Sequence, residues 1–217
     1  MVIEGTDCSG KQTQSNLLFE ILKKENRNIK KFSFPMYDSP TGKIVGGSYL
    51  GKSHISKGVF PEGDANIDPK VSATYYVADR KYNIKIINDY LKKDYTVLLD
   101  RYVESNMAHQ GGKIQNTDER KAMYKWLEKL EYDLFELLKP DMTIFLYMPY
   151  EHALKLRMKK NEASDQLEGD KKHLLDAQKS YLELAKIYKF KTINCIKNRK
   201  IRSKEDIHEN IYNILSI

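Results

Sequence analysis

A lysine-bearing, glycine-bounded segment near the start of the chain constrains the fold more than any other feature of the sequence. Residues 5–13 have the order Gly, four residues, Gly, Lys; they follow an apolar pair and precede apolar positions at helical spacing in residues 17–22. Between a strand and a helix, such a loop directs backbone N–H groups at a phosphate while its lysine reaches the outer phosphates. A chance glycine turn is the alternative, which this context disfavours. The predicted phosphate-binding residues are Gly5, Thr6, Asp7, Cys8, Ser9, Gly10, Lys11, Gln12 and Thr13.

One position of this loop departs from the usual pattern. Gln12 stands where a serine or threonine normally offers a hydroxyl to Mg²⁺. A metal ion must therefore be held partly by another group. The carboxylate of Asp7, inside the loop, is the nearest candidate in the sequence.

Length and charge limit the class of protein. The 217 residues, 41% of them hydrophobic, suffice for one sizeable core, so we expect a single domain over residues 1–217. The 37 basic and 30 acidic side chains give a formal net charge of +7, which favours anionic partners. The charges are interspersed, which argues against a nucleic-acid-binding surface. Two cysteines and no apolar run of membrane-spanning length predict a cytoplasmic protein without membrane contact.

Strand and helix patterns alternate along the chain, which predicts a parallel sheet with helices on both faces. Strands are expected at residues 2–4, 29–34, 95–99, 142–148 and 191–196. Helices are expected at residues 12–25, 68–93, 103–109, 118–138, 151–160, 172–188 and 204–214, with a short helix after residue 37 and basic loop residues 197–200. One face of the helix at 68–93 is marked by the apolar residues Val71, Tyr75, Ala78, Tyr82 and Ile86.

The carboxyl ends of the first three strands are expected to meet at one edge of the sheet, where ligands of α/β proteins bind. This edge would bring Phe34-Pro35 and Arg101 to the phosphate-binding loop. Arg101 suits a contact with an anion there. A structural salt bridge between Arg101 and a neighbouring carboxylate is the open alternative.

The helix at 68–93 carries residues suited to a planar base. Tyr76 and Arg80 lie one turn apart, so a ring can stack on a base while the guanidinium contacts the edge of the base. The alternative, which periodicity alone favours, is an amphipathic helix whose aromatic residues belong to the core. Further polar groups follow Arg101 at Ser105, Asn106, His109 and Gln110, and the five histidines show no metal-ligand spacing.

Residues 157–172 form a polar segment between two predicted helices. Mixed charge of this kind is typical of a solvated loop. Phosphoryl transfer, however, needs mobile cations that close over the transferred group and exclude water, so a lid is the functional alternative. Its candidate cations are Arg157, Lys159 and Lys160.

The chain resembles the thymidylate kinase (dTMP kinase) family of P-loop nucleoside monophosphate kinases over essentially its whole length. Each family motif is weak alone, but the ordered set is strong. The set comprises residues 5–11, Phe34-Pro35-Met36-Tyr37, Ala78-Asp79-Arg80, residues 100–106 and Asp165-Gln166-Leu167-Glu168. The resemblance implies a P-loop NTPase-type three-layer α/β fold, with a five-stranded parallel sheet, helices on both faces and a lid at about 157–172. It also implies ATP- and Mg²⁺-dependent phosphorylation of dTMP to dTDP in dTTP biosynthesis.

The resemblance also implies roles for individual residues. Asp7 would approach the 3′-hydroxyl of dTMP and help to hold the metal, together with Glu168 of the lid. Tyr76 would stack on thymine and Arg80 would contact its polar edge, while Arg101 would bind the acceptor phosphate. The implied dTMP site comprises Asp7, Phe34, Pro35, Tyr37, Tyr76, Arg80, Arg101, Ser105, Asn106 and His109. A helix-mediated homodimer is implied by the resemblance alone.

Three positions depart from the family pattern. Ser33 precedes Phe-Pro where some members carry arginine, Gln166 replaces a common lid arginine, and Cys8 adds no basic group to the loop. We therefore expect the charge on the transferred group to be met by Lys11, Arg101 and one lid cation from among Arg157, Lys159 and Lys160.

Two kinds of function compete with this interpretation. A deoxynucleoside kinase, the nearest rival enzyme beside other nucleoside monophosphate kinases, needs a carboxylate base next to a 5′-hydroxyl. A regulatory or nucleic-acid-binding ATPase would hydrolyse ATP without an acceptor and bind polynucleotide with strong salt dependence. An assay of thymidine beside dTMP separates the first rival from a dTMP kinase.

Overall fold

A five-stranded parallel sheet forms the centre of the protein, whose computed structural model describes residues 1–160 and 170–215. The strands are β1 (Val2–Gly5), β2 (Ile29–Ser33), β3 (Thr96–Asp100), β4 (Thr143–Tyr147) and β5 (Lys191–Asn194). They lie in the order β2-β3-β1-β4-β5, with Ile3 opposite Asp100 on one side and opposite Ile144 on the other. The chain thus turns to opposite sides of β1, and the crevice at the carboxyl ends of its neighbours is where a ligand is expected. The predicted fold class is confirmed.

Helices cover both faces of this sheet. They are α1 (Lys11–Lys24), α2 (Pro40–Lys43), α3 (Pro69–Leu91), α4 (Val103–Gly112), α5 (Thr117–Glu128), α6 (Tyr150–Lys160), α7 (Lys171–Ile187) and α8 (Lys204–Leu215). Two of them continue into π-helical turns, α2 into Ile44–Tyr49 and α5 into Lys129–Leu134, and a 3₁₀ turn spans Asp64–Asn66. The helix predicted for 118–138 is therefore too long. The predicted basic loop at 197–200 is part of a two-stranded hairpin, β6 (Ile196–Lys197) and β7 (Lys200–Ile201).

Two of the three apolar clusters of the described residues follow from the alternation of side chains along the strands, and the third surrounds Val45, Tyr49, Leu50 and Ile67. Val2 faces one core with Phe145 and the aromatic and aliphatic residues of α3, α4, α5 and α7. Ile3, the next residue, faces the other core with Leu18 of α1 and Ile211 of α8. Both residues are fully buried, which fixes β1 and the loop that follows it between two packed layers.

The predicted apolar face of α3 is not part of either core. Val71 is 45% exposed, Tyr82 59% and Ile86 46%. The buried face contains Ala73, Val77, Ile84 and Ile87, and it also contains the charged residues Asp79 and Arg80. Of the predicted stripe, Tyr75 packs in a third apolar cluster, where it stacks on Tyr49. The inward face of α3 is thus a mixture of apolar residues and polar side chains of the candidate ligand site.

The predicted lid lies largely outside the described residues. Arg157, Lys159 and Lys160 belong to α6, and α7 begins at Lys171 after Asp170, which caps its first turn. Glu168 and Gln166 are among the residues that are not described. No helix in residues 1–160 and 170–215 is long and apolar enough to span a bilayer.

Candidate active site

The phosphate-binding loop connects β1 to α1, as the sequence predicts. Gly10, which precedes α1, has a left-handed backbone with φ of 85°, a conformation that favours glycine. A Cβ on Gly5 would lie 2.4 Å from Ser9 Oγ and 2.7 Å from the carbonyl oxygen of Leu146 on β4, so only glycine fits between the loop and the neighbouring strand. Cys8 adopts a positive φ of 55°, which is uncommon outside glycine and recurs at functional sites.

Lys11 is held inside this loop. Its Nζ donates to the carbonyl oxygens of Gly5 and Thr6, each at 2.9 Å, and only 7% of the residue is exposed. Burial, more than any other influence, lowers the pKa of Lys11 to about 8, and the nearby positive charge of Arg101 adds to this. A cation that is desolvated in this way gains strongly from a phosphate placed beside it.

Arg101 and Asp7 form an ion pair at the carboxyl edge of the sheet. Arg101 Nη2 lies 3.1 Å from Asp7 Oδ1, and the backbone of Arg101 has a positive φ of 67°. Burial alone would raise the pKa of Asp7, but the charges of Arg101 and Lys11 outweigh it and hold that pKa well below its usual range. The salt-bridge alternative for Arg101 is thus observed. The same guanidinium also lines two cavities, so the ion pair does not exclude an anion contact.

A buried carboxylate that sequence reasoning missed connects the loop to α4 and α7. Glu4, at the end of β1, accepts hydrogen bonds from the backbone N–H groups of Tyr102 and Ser105 at 2.8 and 3.1 Å. Its second oxygen accepts from Ser105 Oγ at 2.7 Å and from Tyr181 OH at 3.0 Å. Since these partners are about 100 and 177 residues away along the chain, no local pattern could have identified Glu4.

The first of two cavities at the carboxyl edge of the sheet, called here the acceptor cavity, has a volume of about 170 Å³. It opens between β2, α3 and α4 beside the Asp7–Arg101 pair. All ten residues of the predicted dTMP site line it, together with Leu50, Lys52, Tyr102 and Gln110. The structure therefore brings residues from five chain segments into one wall. Their roles in binding remain predictions.

Arg80 is fixed in this wall by a partner that the sequence did not reveal. Its Nε and Nη2 atoms donate to the two carboxylate oxygens of Glu131, and its Nη1 donates to the carbonyl of Tyr102 at 3.4 Å. Arg80 is 2% exposed and the side chain of Glu131 is fully buried. Burial lowers the pKa of Arg80, but the charge of Glu131 outweighs this and the net direction is upward, so the guanidinium stays charged.

Two side-chain amides in the acceptor cavity have unsatisfied atoms. Asn106 donates from Nδ2 to Glu131 at 2.9 Å, but its Oδ1 has no hydrogen-bond partner among the described residues. Neither amide atom of Gln110 has a partner there. A buried polar atom without a partner costs about 1–3 kcal/mol. These amides are therefore suited to the polar edge of a ligand.

The second of these cavities, called here the donor cavity, has a volume of about 600 Å³. Seven of the nine predicted phosphate-binding residues line this cavity: Asp7, Cys8, Ser9, Gly10, Lys11, Gln12 and Thr13. Gly5 and Thr6 are not in its wall: Thr6 Oγ1 instead donates to the carbonyl of Met148 at 2.7 Å and accepts from its N–H at 2.9 Å. The cavity extends to Arg202, Ser203 and Lys204 after the hairpin, which the sequence analysis did not assign.

The two cavities share part of their walls. Their common residues are Asp7, Phe34, Pro35, Tyr37 and Arg101. Arg157 of α6 lines the donor cavity from the other side. The side chains of Lys159 and Lys160 lie outside the described part of the chain, so Arg157 is the predicted lid cation whose placement the structure gives.

A metal ion would find few protein ligands here. Within residues 1–160 and 170–215, no group of three His, Cys, Asp or Glu side chains could hold one. Asp7 and Asp100 are two carboxylates that line the donor cavity. This donor set fits Mg²⁺, which is commonly held by one or two carboxylates together with substrate phosphates and water.

Comparisons with known proteins agree on one family. The family model described as thymidylate kinase matches residues 3–211. A probable thymidylate kinase of Methanocaldococcus jannaschii is 32% identical over 99% of this chain and 94% of its own length. A thymidylate kinase of Prochlorococcus marinus is 32% identical over 100% of this chain and 96% of its own length.

A solved structure supports the fold. The thymidylate kinase of Candida albicans superimposes with a TM-score of 0.74 over 99% of this chain and 89% of that protein. The sequence identity is 22%, so this similarity bears on the architecture alone.

Proposed function

This chain belongs to the thymidylate kinase family and is a dTMP kinase with ATP as phosphoryl donor, and we propose which of its residues bind and position the two nucleotides. The observation that carries the proposal is the shared wall of the two cavities, where the Asp7–Arg101 pair borders both. This arrangement suits direct in-line transfer from a donor phosphate to an acceptor phosphate, in which catalysis comes from positioning and charge neutralisation.

On the donor side, the loop N–H groups and the start of α1 would bind the ATP phosphates, and Lys11 would move from its two carbonyl partners to the outer phosphates. Binding is favourable because a buried cation regains a counter-charge. Arg202 would line the remainder of the ATP site. The guanidinium of Arg202 is already oriented, since it donates to Asp206 at 2.7 Å and to Asn210 at 2.9 Å.

On the acceptor side, Tyr76 would stack on thymine and Arg80 would contact the polar edge of the base. The free amide atoms of Asn106 and Gln110 support a site for a base, because a thymine edge offers both donors and acceptors. Arg101 would bind the phosphate of dTMP while Asp7 lies near the sugar. Tyr37 and Phe34-Pro35 would separate the two nucleotides at the shared wall.

We propose that Asp7 helps to hold Mg²⁺, with Glu168 as a further candidate outside the described residues. When bound, the ion neutralises charge on the phosphates. The low pKa of Asp7 keeps its carboxylate ionised and thus available as an oxygen ligand. A lid cation, for which Arg157 is the best-supported candidate, would add charge over the transferred group.

The low pKa of Asp7 also bears on the nearest rival, a deoxynucleoside kinase. A general base needs a pKa near the working pH, and a carboxylate that is paired with Arg101 is a poor base. Transfer to an acceptor that already carries a phosphate needs no such base. The Asp7–Arg101 pair therefore favours a nucleotide acceptor over a nucleoside.

Quaternary structure and compartment are also proposals. The exposed stripe Val71, Tyr82 and Ile86 of α3 is an apolar face suited to a second copy of the chain, which supports the homodimer. The free thiols of Cys8 and Cys195 suit a reducing compartment and support a cytoplasmic location. Interspersed charge supports the absence of a nucleic-acid partner.

The test is an acceptor panel with ATP and Mg²⁺ that measures ADP formation with dTMP, dUMP, dCMP, thymidine and no acceptor. We expect dTMP to exceed dCMP by a wide margin, because a mismatched pattern of donors and acceptors leaves polar groups unpaired. The margin over dUMP should be smaller, since one methyl group is worth about 1–3 kcal/mol. Equal rates with dTMP and dCMP would contradict the base site, and turnover of thymidine alone would favour the rival kinase.

A further inference from the structure

A pair of buried histidines joins the acceptor cavity to the first turn of α7. Nδ1 of His109, on α4, lies 3.0 Å from Nε2 of His173, on α7. The two rings are stacked, with centroids 5.3 Å apart and planes at 23°. His109 lines the acceptor cavity beside Asp7, whereas His173 does not. The pair therefore places one ring at the ligand and the other behind it.

The separation between the helices is fixed independently of the histidines. A Cβ on Gly112 would lie 2.9 Å from the backbone N of Ala177, so α4 and α7 approach more closely there than any larger residue would allow. His109 and His173 lie about one turn before these two positions on their helices. Tyr181 closes the other side, with its ring edge-on to His109 at 6.0 Å and its OH on Glu4. Neither ring can move far without disturbing this packing.

A hydrogen bond between two imidazole nitrogens at this distance holds one proton. Two N–H groups would repel each other, so one nitrogen donates to the other and the two rings cannot both be charged. Burial lowers the pKa of His173 to about 4 and that of His109 well below its usual value, in agreement with neutral rings. Two arrangements remain, which differ in the nitrogen of His109 that carries its proton.

The surroundings of His109 select between these arrangements. Among the described residues, its ring has no hydrogen-bond partner other than His173, so Nε2 of His109 is available to a ligand. Asp7 lines the same cavity, and its carboxylate favours positive charge on the ring of His109, with a larger effect than the opposing effect of either Arg101 or Lys11 taken singly. An N–H at Nε2 turns the positive edge of the neutral ring to this cavity, and the negative charge of Asp7 favours it over a lone pair there.

We propose that His173 is a positioning residue whose Nε2–H donates to Nδ1 of His109, and that this bond fixes His109 as the tautomer that presents an Nε2–H to the sugar of the acceptor nucleotide. The sugar hydroxyl, an acceptor as well as a donor, receives this hydrogen bond. The proposal rests on the acceptor site proposed above for dTMP. It adds a second residue, on a different helix, that does not touch the substrate.

The first test needs no nucleotide. Long-range ¹H–¹⁵N spectra of the histidine rings distinguish protonated from unprotonated nitrogens, and spectra of His109→Gln and His173→Gln assign the two rings. We expect Nε2 to be protonated and Nδ1 unprotonated in both. A spectrum with the His109 proton on Nδ1 would overturn the proposal, whatever the outcome of the acceptor panel.

The second test compares two substitutions at one position. His173→Phe keeps a stacked ring but has no donor, and we expect it to raise KM for dTMP about three- to tenfold, with kcat changed by about threefold or less. His173→Gln places an amide N–H near the position of Nε2 and should restore KM to within about twofold. Thermal unfolding of both variants shows whether the packing of α4 on α7 survives.

The second test distinguishes a positioning role of His173 from a role in packing alone. A folded His173→Phe protein with the parental KM would leave His173 as a packing residue and contradict the proposal. So would a folded His173→Gln protein as impaired as the Phe variant. If His173→Phe does not fold, the His173→Gln kinetics and the tautomer of the parent protein still decide it. If the parent protein showed no preference for dTMP in the acceptor panel, that result would instead refute the proposed function.

Discussion

The donor and acceptor cavities are built in different ways, although they share a wall. Eight lining residues of the donor cavity are consecutive, Asp7 to Gln14, and their geometry follows from one strand, one loop and one helix start. The acceptor cavity draws on the phosphate-binding loop, on α3 and α4, and on the segments that follow β2 and the π-helical turn after α2. Anion binding by backbone N–H groups is therefore a local property, whereas recognition of a base depends on pairs of residues that are distant in sequence.

The cations of the two sites show the same contrast. Lys11 has neutral carbonyl partners from its own loop and a lowered pKa, so it is prepared to exchange them for phosphate. Arg80 already has a full carboxylate partner, Glu131, and stays charged in the absence of ligand. The first cation gains a counter-charge when its ligand binds. The guanidinium of Arg80 is held in place before any ligand binds, and its ion pair with Glu131 contributes to the stability of the fold.

The largest expected effect concerns this fixed pair. Glu131→Leu leaves the guanidinium of Arg80 buried without a partner, and we expect the free energy of unfolding to fall by about 3–5 kcal/mol in denaturant titrations. Glu128→Leu is the control: it breaks the more exposed pair with Lys139 and a 3.2 Å hydrogen bond from Tyr188 OH, and it should cost less, about 1–2 kcal/mol. The double variant Arg80→Met/Glu131→Leu should recover most of the stability but not the preference for dTMP over dCMP. Equal stability of Glu131→Leu and Glu128→Leu would remove the contrast between the two sites.

The next largest effect tests the donor side. Lys11→Ala should reduce transfer at least about a hundredfold, because a cation placed at developing phosphate charge is worth about 3 kcal/mol or more. Binding of dTMP, measured by calorimetry, should stay near the parental value, since the acceptor cavity does not contain Lys11. Lys204→Ala, in the same cavity wall, is the control and should retain most activity. Near-normal turnover of Lys11→Ala would exclude the loop lysine from the mechanism.

Substitution of Arg157 tests whether α6 supplies a cation to the phosphoryl group that passes between the two sites. If it contacts the transferred group only in the transition state, Arg157→Ala lowers kcat about tenfold to a thousandfold and leaves KM nearly unchanged. Lys159→Ala and Lys160→Ala should then resemble surface substitutions. A raised KM for ATP at constant kcat would make Arg157 a binding residue only, and three variants within about twofold of the parent would leave Lys11, Arg101 and the metal as sufficient.

The smallest expected effect is the uptake of protons when an ATP analogue binds. In the protein without ATP, Lys11 has a pKa of about 8, against 10.5 for an exposed lysine, and is therefore largely neutral at pH 8.5. Bound phosphates should raise this pKa again. Binding of a non-hydrolysable ATP analogue at pH 8.5 should therefore take up a fraction of one proton. Calorimetry in buffers of different ionisation enthalpy measures this uptake. Lys11→Met should abolish it, and an enthalpy of the parent protein that does not change with buffer would contradict the lowered pKa.

The sequence was informative wherever a local pattern sets the structure. The loop at 5–13, the five strands and Asp68-Pro69 at the start of α3 were located because backbone conformation and capping depend on a few neighbouring residues. Asp68 caps α3 as expected, since its side chain accepts from the N–H groups of Lys70 and Val71. The π-helical turns and the β6–β7 hairpin were missed, because no local pattern distinguishes them from a continued helix or a loop.

Local patterns failed where the site itself determines burial. On α3, Tyr76 and Arg80 line the acceptor cavity, and Asp79 accepts hydrogen bonds from the N–H of Met36 and the hydroxyl of Thr41, which hold the segment after β2. These polar residues lie on the buried face of α3 together with Ala73, Val77, Ile84 and Ile87. Tyr76 and Arg80 line the acceptor cavity, as a wall for a base would require, but the core alternative also has support. Tyr75 stacks on Tyr49 at 5.4 Å, and Tyr76 contacts the same ring edge-on at 5.6 Å.

The sequence by itself determined the family, the α/β fold and the chemistry of the donor loop, because a phosphate site made of backbone N–H groups needs only the right spacing of glycine and lysine. Tertiary structure alone decided that Glu131 holds Arg80, that Glu4 joins the loop to α4 and α7, and that His173 lies behind His109. Each of these contacts joins residues at least 51 positions apart. Charge and hydrogen bonding at such sites depend on which segments pack together. The spacing of side chains along the chain does not predict that packing.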